Sequence, residues 1–270
     1  MRINWSKPLS EGLKFGFYPH RWLQLFAVDL VFVSLIISLV YSSLSDIAYI
    51  ISSMKTETGR FLVLSLLSYI WIPIIILILW FIVRIWINGA IIHQSWKTKN
   101  SEIGKSWRYA CRKYPSLLVA IIIIGLLSIL VSIVPYVGWI LTIVFSWIFY
   151  FTLQSIMIRS RGFYEGLDDS YKIFMKNPFE VIVIWLIIAI VNVVIIGIFA
   201  LPLASLLLAN IFYLANASGV ASLLLMFKDQ LAFFLISGLL FLIGVSIATA
   251  FSLKAQVEFY LQLRKRFRIF

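Results

Sequence analysis

"MKNPFEVIVIWLIIAIVNVVI", residues 175–195, passes within a few residues from a lysine, an Asn-Pro pair and a glutamate into an apolar run. The run continues to Leu208, beyond the roughly 20 residues that a helix needs to cross ~30 Å of hydrocarbon. The rest of the chain has the same character. Over 270 residues, 62% are apolar and 13% charged, against about 45–50% and about 25% in soluble domains. The sequence therefore reads as an integral membrane protein.

Six apolar blocks are long enough to span: Trp22 to Tyr41, Phe61 to Ile85, Leu117 to Val134, Val137 to Ile158, Val181 to Leu208 and Leu231 to Phe251. Helices are expected, because lipid cannot satisfy open backbone groups and the runs lack the two-residue alternation of barrel strands. Met1 to Arg21 carries four basic residues, Glu11, Pro8 and Pro19, and no small-residue cleavage site follows the first block. No cleavable signal peptide is expected, and the first span serves as the insertion signal.

Charge sets the expected orientation. With the N-terminus inside, 20 of the 23 Lys and Arg residues fall on the cytoplasmic side, leaving Lys55, Arg60 and Lys228 outside. This bias is that of the positive-inside rule and places both termini in the cytoplasm of a cell (inner) membrane protein. The net charge of +12 sits at headgroup positions without any nucleic-acid recognition motif, so anionic lipid is the expected partner and nucleic acid is not. Cys111 is the one cysteine and has no partner for an internal disulfide.

The opening stretch has two relatives. "EGLDDSYKIFMKNPFEV" from Glu165 precedes the fifth span, "EIGKSWRYACRKYPSLL" from Glu102 the third, and "EGLKFGFYPHRWL" from Glu11 the first. Each runs from glutamate through glycine, aromatic and basic residues to a proline and then the membrane. Trp107, Ala110, Cys111 and Tyr114 fall at i, i+3, i+4 and i+7, the pattern of a helix lying in the headgroup plane. Proline disfavours helix in the residue before it and suits the first turn of a new helix. Pro19, Pro115 and Pro178 therefore read as hinges from surface helix to span. The chain divides into one membrane domain of three hairpin repeats, 1–98, 99–162 and 163–270, with outer segments from Ser42 to Arg60 and from Ala209 to Gln230 and a tight outer turn at "SIVPYVGW".

This element, a short amphipathic helix ending in Asn-Pro or Tyr-Pro before an apolar hairpin, is carried by "SYKIFMKNPF" from Ser170 and "SWRYACRKYPS" from Ser106. It resembles uncharacterised six-span membrane proteins of archaea and bacteria, and the membrane domain attached to some glycerophosphodiester phosphodiesterases. The resemblance implies a six-span plan and no catalytic residues, since the phosphodiesterase chemistry of that family resides in a separate soluble domain. The proline, acid and base signature of mitochondrial carriers is absent: "PFEVIV" at Pro178 has the acid but Val183 at the basic position.

Candidate chemistry is sparse. His20 and His93 lack metal-ligand spacing, and no phosphate loop or nucleophile elbow is present. No cofactor, metal or enzymatic activity is expected. Asp29, about seven residues into the first span, would cost on the order of 2.5 to 3.5 kcal/mol if left charged against lipid. It and Asn192 in the fifth span are the candidate intramembrane binding residues, with interhelical hydrogen bonding as the alternative role. Gln94, Gln154 and Gln256 stand at comparable depths near the inner ends of the even spans and would line an inner vestibule about a pseudo-threefold axis. Pro73 and Pro202 are candidate kinks. Arg264, Lys265, Arg266 and Arg268 read as a headgroup anchor worth about 1 kcal/mol each. The expected function is handling or transport of a small molecule or lipid. The rival is a scaffold for another membrane protein or for a second copy.

Overall fold

The structure is a computed structural model and describes residues 3–53, 57–97, 102–159, 161–216 and 230–267. Helices α1 (Ser6–Gly16), α2 (Pro19–Ser53), α3 (Glu57–Trp96), α4 (Ile103–Ser132), α5 (Gly138–Ile148), α6 (Thr152–Arg159), α7 (Phe163–Lys176), α8 (Pro178–Asn216) and α9 (Leu231–Phe267) account for nearly all of them. No strand occurs among the described residues. Six segments are long and apolar enough to cross a membrane: Pro19–Leu39, Trp71–Trp96, Ile103–Ser132, Gly138–Arg159, Pro178–Ala209 and Leu231–Lys265. The chain is an all-α polytopic membrane protein, and each span overlaps an expected block. Residues 217–229 of the third outer segment, and Arg268, lie outside the described residues, as does the side chain of Arg266.

The chain forms two compact units. One comprises Met1–Leu25, Arg84–Ile195 and Ser246–Phe270; the other comprises Phe26–Val83 and Ile196–Val245. In the second unit Asp29 is 3% exposed and accepts a hydrogen bond from Trp80 Nε1 at 2.9 Å. There too Gly244 admits the Phe199 side chain, whose Cβ would stand 2.5 Å from a Cβ at Gly244. The first unit holds most of the buried polar groups.

Within the first unit, each amphipathic stretch packs on the end of an even-numbered span. On α1, a Cβ at Gly12 would stand 3.0 Å from the Phe251 ring, and one at Gly16 would stand 3.1 Å from the Ile247 carbonyl oxygen. Only glycine lets α1 lie this close to α9. The start of α4 meets α3 through His93 Nδ1 and Ser106 Oγ at 3.0 Å, with the His93 ring stacked on Tyr109. On α7, a Cβ at Gly166 would collide with Ile156 of α6.

Two of the three hinges form. α1 ends at Gly16 and α2 starts at Pro19; α7 ends at Lys176 and α8 starts at Pro178. The third does not: α4 runs from Ile103 to Ser132 with Pro115 inside it. A proline in a helix interior removes one backbone bond and costs ~3 kcal/mol. Here Ser106, Ala110, Leu117 and Ala120 are all buried along α4, on both sides of the proline. A break at Tyr114 would pull half of that stripe from its partners, so packing outweighs the local preference.

The break falls instead in the fourth span, expected as one helix. α5 stops at Ile148 and α6 starts at Thr152. Backbone at this depth must find partners inside the protein, and every N–H here does. Phe149 donates to Phe145, Tyr150 to Trp147 and Thr152 to Phe149. Phe151 N–H donates to Ser170 Oγ of α7 at 3.1 Å, and that hydroxyl donates to the Ile148 carbonyl at 2.8 Å. One serine on α7 thus closes both sides of the gap. Ser170→Ala is expected to destabilise the purified protein by about 1–3 kcal/mol, the cost of a buried donor left unmade. Thermal unfolding in detergent checks this, with Ser10→Ala, an exposed hydroxyl on α1, expected to be near neutral.

Candidate functional site

The site is built on α9. Ser252, Gln256, Tyr260 and Arg264 recur every fourth residue, which keeps them near one face of a helix and spreads them over about 18 Å of its length. The first three are each met by a polar group from a different helix, and Arg264 lines a cleft with residues of two of those helices. Ser252 Oγ pairs reciprocally with the Asn192 amide of α8, at 2.7 and 2.9 Å. Gln256 Oε1 accepts from Gln154 Nε2 of α6 at 2.5 Å. Tyr260 donates to Asp169 Oδ2 of α7 at 2.8 Å. Arg264 joins Arg159, Arg161, Asp168, Asp169, Lys172 and Ile173 around a cleft of about 360 Å³.

Two atoms beside this stripe lack partners. Gln154 Oε1 and Thr152 Oγ1 are buried without a hydrogen bond. A buried polar atom left so costs about 1–3 kcal/mol, and both flank the break in the fourth span. Both belong to the first turn of α6, just after the break.

Asp169 is the electrostatic centre of the lower stripe. It accepts from Ser155 Oγ at 2.8 Å, from Tyr260, and from Arg159 Nη1 at 2.6 Å. Burial alone would raise its carboxyl. The hydrogen bonds of Ser155 and Tyr260 and the charges of Arg159 and Arg264 outweigh burial and hold it below the usual carboxylate range. On the neighbouring face of α9, Lys254 is 2% exposed and donates to Glu258 Oε1 at 2.6 Å and to the Ser95 carbonyl at 2.9 Å. It thereby caps the last turn of α3 with a cation, as a helix C-terminus favours.

Asn192, Gln154, Gln256 and Arg264 of the expected residues come together on this stripe. Gln94 does not join the other two glutamines. It forms a reciprocal amide pair with Gln24 at 3.1 and 3.2 Å and accepts from Arg21 at 2.9 Å, while Trp107 Nε1 donates to Gln24. Asp29 lies in the other unit, bonded to Trp80. Lys265 is exposed on the same last turns of α9 as Arg264. Ser252, Tyr260 and Asp169 were not singled out in the sequence; counting in fours from Gln256 reaches the first two, while Asp169 carries no comparable signal. The chain matches no protein-family model, no curated protein and no solved structure.

A carboxylate with a depressed folded pKa stabilises above its unfolded value, about 3.9, and loses that contribution as pH falls through the folded value. Asp169→Asn is therefore expected to lower the midpoint of thermal unfolding at neutral pH, with the gap to wild type constant down to about pH 5 and closing below about pH 4. Thermal unfolding across that pH series checks it, and a gap that persists unchanged in acid contradicts it.

Proposed function

We propose that the chain is a non-enzymatic protein of the cell (inner) membrane that handles a small polar or lipid molecule along the α9 stripe, with both termini and the Arg264 end of the stripe in the cytoplasm. The observation that carries the reading is the line of four polar residues from Asn192's partner Ser252 to the cleft at Arg264. Its links are side chain to side chain, among amides, hydroxyls and one carboxylate. Such bonds exchange one partner for another at low cost, unlike backbone bonds of a helix. The line also passes a broken span with two unpartnered acceptors, and discontinuous spans are where membrane proteins commonly recognise polar cargo.

Several features support the remaining parts of the reading. Asn192 serves as the deepest polar member of the path, and Asp29 acts as an interhelical lock through Trp80, a bond of a kind worth about 0.6 kcal/mol. The division into three hairpins is supported by the recurring contact of α1, the start of α4 and α7 with the ends of α9, α3 and α6. Exposed Tyr164, Tyr171 and Met175 on α7, and Phe17 and Tyr18 after α1, suit headgroup-level placement of these stretches. Lipids are then the immediate partners.

The test uses single cysteines in a Cys111→Ser chain reconstituted in liposomes. Gln154→Cys and Ser252→Cys are expected to react with a small charged thiol reagent about tenfold faster than Val193→Cys, which sits next to Asn192 but is 70% exposed on the apolar outside of the helices. Only a thiol in contact with water ionises and reacts. Reaction is expected from the side that carries the termini. If the stripe positions react no faster than Val193→Cys, the stripe is a static lock and the scaffold reading replaces this one.

A further inference from the structure

The cleft at the end of the stripe has a property that handling along α9 does not require. Its lining counts four cations, Arg159, Arg161, Lys172 and Arg264, against two carboxylates, Asp168 and Asp169, a net charge of +2. The two acids are not equivalent. Asp169 is saturated by Ser155, Tyr260 and Arg159, with the Arg159 and Asp169 side chains only 22% and 14% exposed. That arrangement spends the charge of Asp169 and fixes the Arg159 guanidinium as one wall.

Arg161 and Lys172 are held loosely. Lys172 reaches Asp168 at 2.6 Å with both side chains at the surface, and Arg161 approaches the exposed Glu165 only at 3.9 Å. Exposed pairs of this kind contribute little and re-form readily around a stronger acceptor. The cleft therefore presents one fixed arginine, Arg264 beside it, and two adaptable cations, Arg161 and Lys172, around roughly ten waters' worth of volume.

Depth selects the ligand further. Arg159 is the last residue of the fourth span, and Arg264 precedes Lys265, the last residue of the sixth. The cleft thus stands at the charged ends of two candidate spans, where headgroups are within reach. A phosphomonoester carries about −1.5 to −2 charges near neutral pH and three acceptor oxygens, which matches the net charge of the lining. Guanidinium forks bind such oxygens in pairs through short charge-assisted bonds.

We propose that this cleft is a binding site for a phosphomonoester group, with Arg161, Lys172 and Arg264 as its ligands and the Arg159–Asp169 pair as the fixed wall that positions it. The site stands whether or not the stripe conducts anything. The group can come from an anionic lipid headgroup or from a soluble phosphate.

The full chain in an uncharged detergent provides the test, with native mass spectrometry counting bound molecules after addition of phosphatidic acid, phosphatidylglycerol or phosphatidylcholine. A parallel titration adds inorganic phosphate. Wild type is expected to retain phosphatidic acid over the other two lipids. Arg161→Gln/Arg264→Gln is expected to weaken that retention by at least about tenfold, the scale of one charge-assisted bond. Lys105→Gln/Arg108→Gln, which removes the same charge from the exposed start of α4, is expected to change it by less than about twofold. Asp168→Asn, which removes an acid that competes with the ligand, is expected to tighten retention; a misfolded variant does not produce that gain.

Retention insensitive to inorganic phosphate identifies a lipid headgroup as the source. Saturable phosphate binding that displaces the lipid and depends on Arg161 and Arg264 identifies a soluble phosphate. Equal losses in the two double variants, no preference among the lipids, or weaker retention by Asp168→Asn overturns the site.

Discussion

A polar group below the membrane surface must find its partner within the protein, because lipid offers none. In this chain α9 supplies that partner for three other helices. Its four-residue spacing sets Ser252, Gln256, Tyr260 and Arg264 one above another, and α8, α6 and α7 each contribute the side chain that completes one rung. The spacing is a property of a single helix. The positions of the partners follow from it.

The broken fourth span depends on the same constraint. A gap between α5 and α6 would leave a backbone N–H and a carbonyl without partners, and Ser170 of α7 meets both. α7 can do so because Gly166 removes the side chain that would collide with Ile156, and because Asp169 ties the helix to Ser155, Arg159 and Tyr260. The stripe thus holds α7, and α7 holds the break. The cleft is lined by the cations that this arrangement gathers at the ends of α6 and α9 and along α7.

Much of this was legible in the sequence, for physical reasons that differ by element. The spans were readable because apolar runs of sufficient length have one stable arrangement in lipid. Pro19 and Pro178 were readable as helix starts because proline disfavours helix in the residue before it and suits a first turn, whereas at Pro115 the helix runs through, with Ala110 and Leu117 packed on either side. The break at residues 149–151 was hidden, since "WIFYFTLQ" from Trp147 contains neither glycine nor proline; its cause is Ser170, distant in sequence. Depth made Asn192, Gln154 and Gln256 visible as unusual residues, yet depth alone says nothing about pairing. Gln94 has the same apparent depth and chose Gln24.

The most direct measurement is hydrogen–deuterium exchange of the full chain in lipid nanodiscs, comparing wild type with Tyr260→Phe. The substitution removes one hydroxyl, whose hydrogen bond goes to Asp169. If the stripe holds α7 and α7 holds the break, exchange rises in Phe163–Lys176 and at residues 149–151, while α1 is unchanged. Exchange that is unaltered in α7 and at the break, or that rises equally in α1, contradicts the dependence of the structure on α9.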